Sequence, residues 1–226
     1  LRRLSERDLD GWLAILRAEA PDATTALAAI ESHPIWVVKA MRQALLANNR
    51  SEDELGPLLQ ADNAEPEVVL CARPGMASPE GLAKEAAAAT RREPRSGNLS
   101  PCAVVLTGGD PGRIRAVRDA RAGVEDEGSQ LVALMLADAP IEGRDERWLD
   151  LCAGPGGKAA LLGARAVQRG ARLVANEVTP HRARLVEASV HALPPGAVEV
   201  TCNDGRVVGR DEPGRYDRIL VDAPCS

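Results

Sequence analysis

From Trp148 onward the chain alternates between short apolar runs and longer stretches of helical spacing. The runs that predict strands are 148–152, 173–177, 198–201 and 219–222, and helical stretches at 157–169 and 180–192 separate the first three. Short buried strands separated by helices predict a parallel sheet with helices on both faces, the doubly wound α/β fold. Ligands of such sheets bind beyond the carboxyl ends of the strands. The polar residues that end these strands are therefore the first candidates for a functional site.

Two segments precede the alternating part. Residues 1–62 place apolar side chains at helical spacing and predict an all-helical region. Residues 63–122 contain strand-like runs around a helical stretch, which indicates a small α+β unit. Residues 123–226 open with a predicted helix near Val124 and form a Rossmann-like domain, whose sheet we expect to be incomplete at the end of the chain.

The composition narrows the class of protein. A net charge of -5 argues against a general nucleic-acid coat, because such domains are usually strongly basic, so RNA binding needs a local patch. No stretch reaches the roughly 18 consecutive apolar residues of a membrane helix, and the first residues lack the apolar run of a secretory signal. The five cysteines and three histidines are scattered, with no C-x-x-C pair. We expect a cytoplasmic monomer with reduced thiols, no metal and no membrane contact.

The first strand of the alternating part leads into a glycine-rich turn, Asp-Leu-Cys-Ala-Gly-Pro-Gly-Gly-Lys, at residues 150–158. Gly154 and Gly156 let the backbone approach a ligand, and the following helix offers unpaired N–H groups. The pattern Gly154-x-Gly156-x-x-Ala159 also satisfies the dinucleotide-binding signature, so an NAD-dependent oxidoreductase is an alternative. A phosphate-binding P-loop is disfavoured because Cys152 and Ala159 replace its first Gly and its Ser or Thr.

Two acids end the next two strands. Glu177 lies 23 residues after Gly154, close to the roughly 20 expected of a carboxylate that binds ribose hydroxyls. Asp204 could accept a hydrogen bond from an exocyclic amine such as that of adenine. A turn formed by Asn203, Asp204 and Gly205 explains that acid equally well.

The last predicted strand ends in Val-Asp-Ala-Pro-Cys-Ser, which places Asp222 and the thiol of Cys225 where chemistry would occur. A dehydrogenase has no use for such a thiol. Methylation of cytosine C5 does require thiol chemistry, because a thiolate must first add to C6 of the ring.

Four strings in this order resemble the Sun/RsmB family of RNA cytosine-C5 methyltransferases. They are Val-Glu-Asp-Glu-Gly-Ser-Gln from Val124, Asp-Leu-Cys-Ala-Gly-Pro-Gly-Gly-Lys, Asn-Glu-Val-x-Pro-His-Arg and Asp-Ala-Pro-Cys-Ser. The resemblance runs from about residue 65 to the end, and the helical start is more loosely similar to the RNA-binding extension of the bacterial small-subunit ribosomal RNA enzymes.

The resemblance implies S-adenosylmethionine as cofactor. Glu177 would bind its ribose hydroxyls, Asp204 its adenine, and Asp222 would lie near the sulfonium and the target base. The loop residues that would hold its methionine part are Cys152, Ala153, Gly154, Pro155, Gly156, Gly157 and Lys158.

The family pattern also assigns the thiols. The cysteine matching Cys225 helps to release the methylated product, and the nucleophile belongs to a later Thr-Cys motif. We therefore expect the nucleophile beyond Ser226 and an inactive chain of 226 residues. The dipeptide Thr201-Cys202 precedes Asp204 and stands in the wrong order for that role.

An arginine-rich stretch offers an RNA surface. Residues 91–121 hold seven arginines against three acids, a local charge of +4. Arg91, Arg92 and Arg95 are the candidates for phosphate contacts, although a solvated basic face explains them as well. The predicted partner is RNA, with small-subunit ribosomal RNA favoured. A non-catalytic RNA-binding protein that retains the cofactor fold is the second alternative.

Overall fold

The computed structural model describes residues 5–64 and 66–223. The chain divides into two compact units, Leu1–Pro66 and Glu67–Ser226. The boundary predicted between residues 122 and 123 falls inside the second unit, within a strand of its antiparallel sheet. Within the described residues no helix is both long and apolar enough to cross a membrane.

The first unit is helical. Its α-helices are α1 (Leu9–Glu19), α2 (Ala23–Ile30), α3 (Ile35–Ala47) and α4 (Leu55–Asp62). Asp8 and Asp22 begin α1 and α2 by accepting hydrogen bonds from the backbone amides of the first turn, as good N-cap residues do. The small core is formed by Ala28, Val38, Leu55 and Leu59.

The second unit begins with an antiparallel sheet. Its elements are β1 (Val68–Ala72), α5 (Pro79–Thr90), β2 (Arg95–Ser96), β3 (Ala103–Leu106), α6 (Arg115–Arg118) and β4 (Ala122–Val124). The strand order is β2-β3-β1-β4. The helix predicted from near Val124 is present, but it begins three residues later, at Glu127, because Val124 ends β4.

A parallel sheet with helices follows, as predicted. Its elements are α7 (Glu127–Asp138), β5 (Arg147–Asp150), α8 (Gly157–Gln168), β6 (Arg172–Asn176), α9 (Pro180–Val190), β7 (Val198–Thr201), α10 (Gly205–Asp211) and β8 (Arg218–Leu220). The strand order is β7-β6-β5-β8. The chain reverses its direction of winding between β5 and β8, and the crevice outside their carboxyl ends is the expected ligand position.

A buried polar network fixes β8 beside β5. The Arg218 guanidinium contacts both carboxylate oxygens of Asp145, at 2.7 and 2.8 Å, and donates to the carbonyls of Leu136 and Ala139 at the end of α7. The indole N–H of the fully buried Trp148 donates to the same Asp145, at 2.6 Å. These bonds satisfy the charge of Arg218, which is only 3% exposed.

Candidate functional site

The glycine-rich turn after β5 is packed tightly against its neighbours. A Cβ at Gly154 would lie 2.2 Å from Oε2 of Glu177, and one at Gly156 would lie 2.7 Å from Cβ of Ser189 on α9. Gly156 also has a φ of +113°, which disfavours other residues. The chain therefore requires glycine at both positions to bring this backbone close to β6 and α9.

Glu177 holds the turn in place. Its buried carboxylate accepts hydrogen bonds from the amide of Gly154, at 3.1 Å, and from the amide of Thr179, at 2.9 Å. The Arg182 guanidinium donates to the carbonyl of Gly154 and lies 3.7 Å from Glu177. The predicted ribose-binding acid is thus positioned beside the predicted methionine-binding turn.

A cavity of about 240 Å³ opens at the carboxyl ends of β5 and β8. Its walls combine the turn, the start of α8, the end of β8 and the segment between β4 and α7. The lining residues are Val124, Glu125, Asp126, Ser129, Asp150, Cys152, Ala153, Gly154, Pro155, Gly157, Lys158 and Asp222. Most of the predicted methionine-binding residues and Asp222 therefore line one cavity.

Two buried acids line this cavity with carboxylate oxygens that lack hydrogen-bond partners within the described chain. Asp150 is 1% exposed, and neither of its carboxylate oxygens has a partner among residues 5–64 and 66–223. Oε1 of Glu125, which is 9% exposed, also lacks one within the described chain. Burial raises the pKa of each carboxyl to about 7. Prediction from the sequence missed both residues. Asp150 lies in the predicted strand 148–152 and is the first residue of the glycine-rich motif, and that position was the available signal.

Lys158 connects two sides of the cavity. Its Nζ lies 3.0 Å from Oγ of Ser129 and 2.8 Å from Oδ2 of Asp222. It joins the two walls formed by α7 and β8. Lys158 is the one basic side chain in the lining of this cavity, as far as the described residues go, and it faces four acids there.

Asp204 lies outside the cavity lining. It begins α10 and accepts hydrogen bonds from the amide and the guanidinium of Arg206, both at 3.0 Å. The Arg206 guanidinium lowers the pKa of Asp204 to about 2. The predicted adenine-binding acid is thus an exposed N-cap with its own cationic partner.

The thiols occupy different environments. Cys225 lies outside the described residues, so its predicted role receives no structural account. Burial, with the nearby Asp150 carboxylate, raises the pKa of the Cys152 thiol, which disfavours a thiolate there. Cys202 is exposed, with its sulfur 3.6 Å from the carbonyl of Val178. No cluster of three His, Cys, Asp or Glu side chains suited to a metal ion is found in the described part of the chain.

The three arginines predicted to contact RNA lie after α5 on the antiparallel-sheet side of the second unit. Arg91 ends α5 in a left-handed conformation, and Arg91 and Arg92 are exposed. Arg95 lies on β2 and pairs with Glu67. Other arginines of the stretch are also paired, Arg115 with Asp119 and Arg121 with Glu85.

Comparison with known proteins finds similarity to methyltransferases in both sequence and structure. Residues 134–226 match the family model described as 16S rRNA methyltransferase RsmB/F. A protein of Mycobacterium tuberculosis, provisionally named as a methyltransferase, is 44% identical over 227 aligned positions that cover 100% of this chain and 47% of that protein. The chain therefore spans about half the length of this relative.

A shorter similarity concerns a mitochondrial tRNA (cytosine(34)-C(5))-methyltransferase of Danio rerio. It is 44% identical over 85 residues, which cover 36% of this chain and 23% of that protein. The crystal structure of a methyltransferase homolog from Pyrococcus horikoshii superimposes with a TM-score of 0.61, covering 83% of this chain and 63% of that one at 18% identity. At that identity the structural match supports the fold.

Proposed function

Residues 134–226 belong to the RsmB/F family of S-adenosylmethionine-dependent RNA methyltransferases, and from this premise we propose that the protein methylates C5 of cytosine in RNA. We propose small-subunit ribosomal RNA as the substrate. The observation that carries the proposal is the cavity at the carboxyl ends of β5 and β8, where a tightly packed glycine turn meets two buried acids with three carboxylate oxygens that lack partners in the described chain.

The residues of this cavity fit the cofactor. Buried carboxylates without partners suit a ligand that brings positive charge, and S-adenosylmethionine carries both an ammonium and a sulfonium group. When bound, the cofactor supplies an electrophilic methyl group. In this proposal Cys152 to Lys158 contact its methionine part, and Asp222 lies beside the sulfonium and the target base.

Two further acids would bind the rest of the cofactor. Glu177 uses its carboxylate oxygens on two backbone amides, and a carboxylate has about four acceptor sites, so ribose hydroxyls can still bind. Asp204 would accept from the adenine amine. Its pairing with Arg206 means that the guanidinium must share or release that carboxylate.

The chemistry at the base requires a thiolate that adds to C6, so that C5 becomes nucleophilic. We assign this role to a cysteine outside these 226 residues and product release to Cys225, as the resemblance implies. The raised pKa of Cys152 makes that thiol a poor alternative. The target base is expected to be flipped out of its stack to reach the cavity.

The first test is a calorimetric titration with S-adenosylmethionine and with NAD. We expect S-adenosylmethionine to bind and NAD not to bind. Asp204→Ala should weaken the binding of S-adenosylmethionine about three- to tenfold, because it removes the hydrogen bond from the uncharged adenine amine. Tighter binding of NAD would favour the oxidoreductase alternative. No binding of either would contradict the proposed cofactor site.

The covalent step has a separate test. RNA containing 5-fluorocytosine should trap a protein–RNA adduct with the full-length protein, because fluorine at C5 cannot leave as a proton does. Methyl transfer to ordinary RNA without a trapped adduct would support the proposed methyltransferase activity but contradict the covalent cysteine mechanism. RNA binding without methyl transfer by the full-length protein would favour the non-catalytic alternative.

The RNA surface is tested by charge reversal. Changing Arg91, Arg92 and Arg95 to Glu should weaken RNA binding and reduce its salt dependence while leaving cofactor affinity unchanged. Arg91 and Arg92 should account for most of the effect, since Arg95 already pairs with Glu67. Unchanged RNA affinity would remove this patch from the proposal.

A further inference from the structure

Glu125 enters the cavity from outside the parallel sheet. It lies between β4 of the antiparallel sheet and α7, nine residues before the start of the matched family domain at residue 134. Its backbone is fixed at both groups, since its amide donates to the carbonyl of Val69, at 3.0 Å, and its carbonyl accepts from Nε2 of Gln130, at 2.7 Å. The backbone of Glu125 is therefore held in place, and the residue lines the wall of the cavity.

Packing alone does not account for a carboxylate here. A Cβ at Gly157 would lie 3.3 Å from Cδ of Glu125, so the carboxyl group packs against the first residue of α8. Oε1 nevertheless has no hydrogen-bond partner among the described residues. A buried carboxylate left in this state costs free energy, and a glutamine of the same shape would cost less.

The groups around Glu125 leave the cavity with an excess of negative charge. Arg73 and Lys158 lie close enough to favour its charged form, but Arg73 is occupied by the carbonyls of Ala120 and Ser189, and Lys158 pairs with Asp222. The Cys71 thiol on β1 also favours the charged form of Glu125 as a hydrogen-bond donor, whereas the acidic Asp126 disfavours that form. No described residue forms an ion pair with Glu125 within 4.0 Å.

We propose that Glu125 is a specificity-determining residue that selects the cationic methyl donor over the product left after transfer. The inference rests on the proposed function. Methyl transfer converts the sulfonium of S-adenosylmethionine into the neutral thioether of S-adenosylhomocysteine, so the two ligands differ by one positive charge. A negative wall contributes more to binding of the first than of the second, and it favours product release.

The elevated pKa of Glu125 adds a second signature. Near pH 7 the carboxyl is partly protonated, and a cationic ligand stabilises its charged form. Binding of S-adenosylmethionine should therefore release protons, and binding of S-adenosylhomocysteine should release fewer. Calorimetry in two buffers of different ionisation enthalpy measures this number directly.

The test compares both ligands on the full chain, on Glu125→Gln and on a control, Asp138→Asn. Asp138 lies at the far end of α7 and pairs with Arg165, so the control removes a charge outside the cavity. We expect Glu125→Gln to lose about tenfold in affinity for S-adenosylmethionine, as for one lost attraction between the carboxylate and the sulfonium charge, and less than about twofold for S-adenosylhomocysteine. The control should match the wild type.

Results that contradict the inference can be distinguished from results that contradict the proposed function. An equal loss for both ligands would show a structural role for Glu125 and overturn the inference, as would unchanged affinities. An unchanged proton release in Glu125→Gln would also overturn it, even if the variant were less stable. Failure of the wild type to bind either ligand would instead reject the proposed function on which the inference rests.

Discussion

Nζ of Lys158 lies 2.8 Å from Oδ2 of Asp222, so one ion pair joins the first turn of α8 to the carboxyl end of β8. The Asp222 side chain is 53% exposed, and an exposed pair of this kind contributes only about 0–1 kcal/mol to stability. The pair therefore matters for the shape and charge of the cavity more than for folding.

Asp222→Asn should separate these two effects. We expect a change of less than about 1 kcal/mol in the free energy of unfolding. Affinity for S-adenosylmethionine should fall about fivefold, as for a lost interaction of about 1 kcal/mol. Asp211→Asn is the matched control, because Asp211 is also 53% exposed and ion-paired, with Arg210, but lies outside the cavity lining. Equal effects of the two variants on affinity would contradict the prediction.

Gly154→Ala should damage both folding and the site. The new Cβ would lie 2.2 Å from the buried Glu177 carboxylate, so the turn or the acid must move. We expect a loss of about 1–3 kcal/mol, as for overpacking, together with weaker cofactor binding. Gly209→Ala in α10 has open space around its Cβ and should instead stabilise by about 0.5–1 kcal/mol. Chemical denaturation of both variants measures the contrast, and a neutral Gly154→Ala would show that the turn can relax.

The parallel sheet could be predicted from the sequence because its apolar runs are separated by helices with clear spacing. Smaller elements could not. β2 has two residues and β4 has three, too few for a visible pattern, and α10 contains two glycines with little apolar periodicity. These elements form through pairing with neighbours or through the N-cap at Asp204.

The site was predictable to the extent that polar residues end parallel strands. The glycine turn, Glu177 and Asp222 follow from that rule. The sequence does not reveal that Arg206 occupies the carboxylate of Asp204, or that Glu125 lies against Gly157. The first is a local contact between exposed side chains, and the second depends on packing between residues distant in sequence. Burial without a partner is a property of the folded chain alone.

The ion pair of Asp145 with Arg218 should make the stability of the fold sensitive to acid. The Arg218 guanidinium lowers the pKa of Asp145 to about 2, below its value in an unfolded chain. A carboxyl with a lowered folded-state pKa contributes stability above its unfolded pKa of about 4 and loses it as pH falls through about 2, a difference of up to about 2 kcal/mol. Asp145→Asn should therefore flatten the decline in stability between about pH 5 and pH 2. An unchanged decline, measured by denaturation across this range, would contradict the assignment.

The pKa of Asp150 is shifted in the opposite direction, so the pH dependence of its contribution to stability has the opposite sign. Burial raises its pKa to about 7, so between about pH 4 and pH 7 the folded chain retains a proton that the unfolded chain has released. This linkage lowers stability as pH rises through that window, by an amount on the order of 4 kcal/mol. Asp150→Asn removes the titrating group, so the difference in Tm between pH 5 and pH 8 should shrink, while Asp211→Asn keeps the wild-type difference. The same variant should bind S-adenosylmethionine less tightly, because Asp150 lines the cavity proposed to hold this cationic ligand. A variant that loses stability equally at both pH values would show instead that Asp150 is a structural residue.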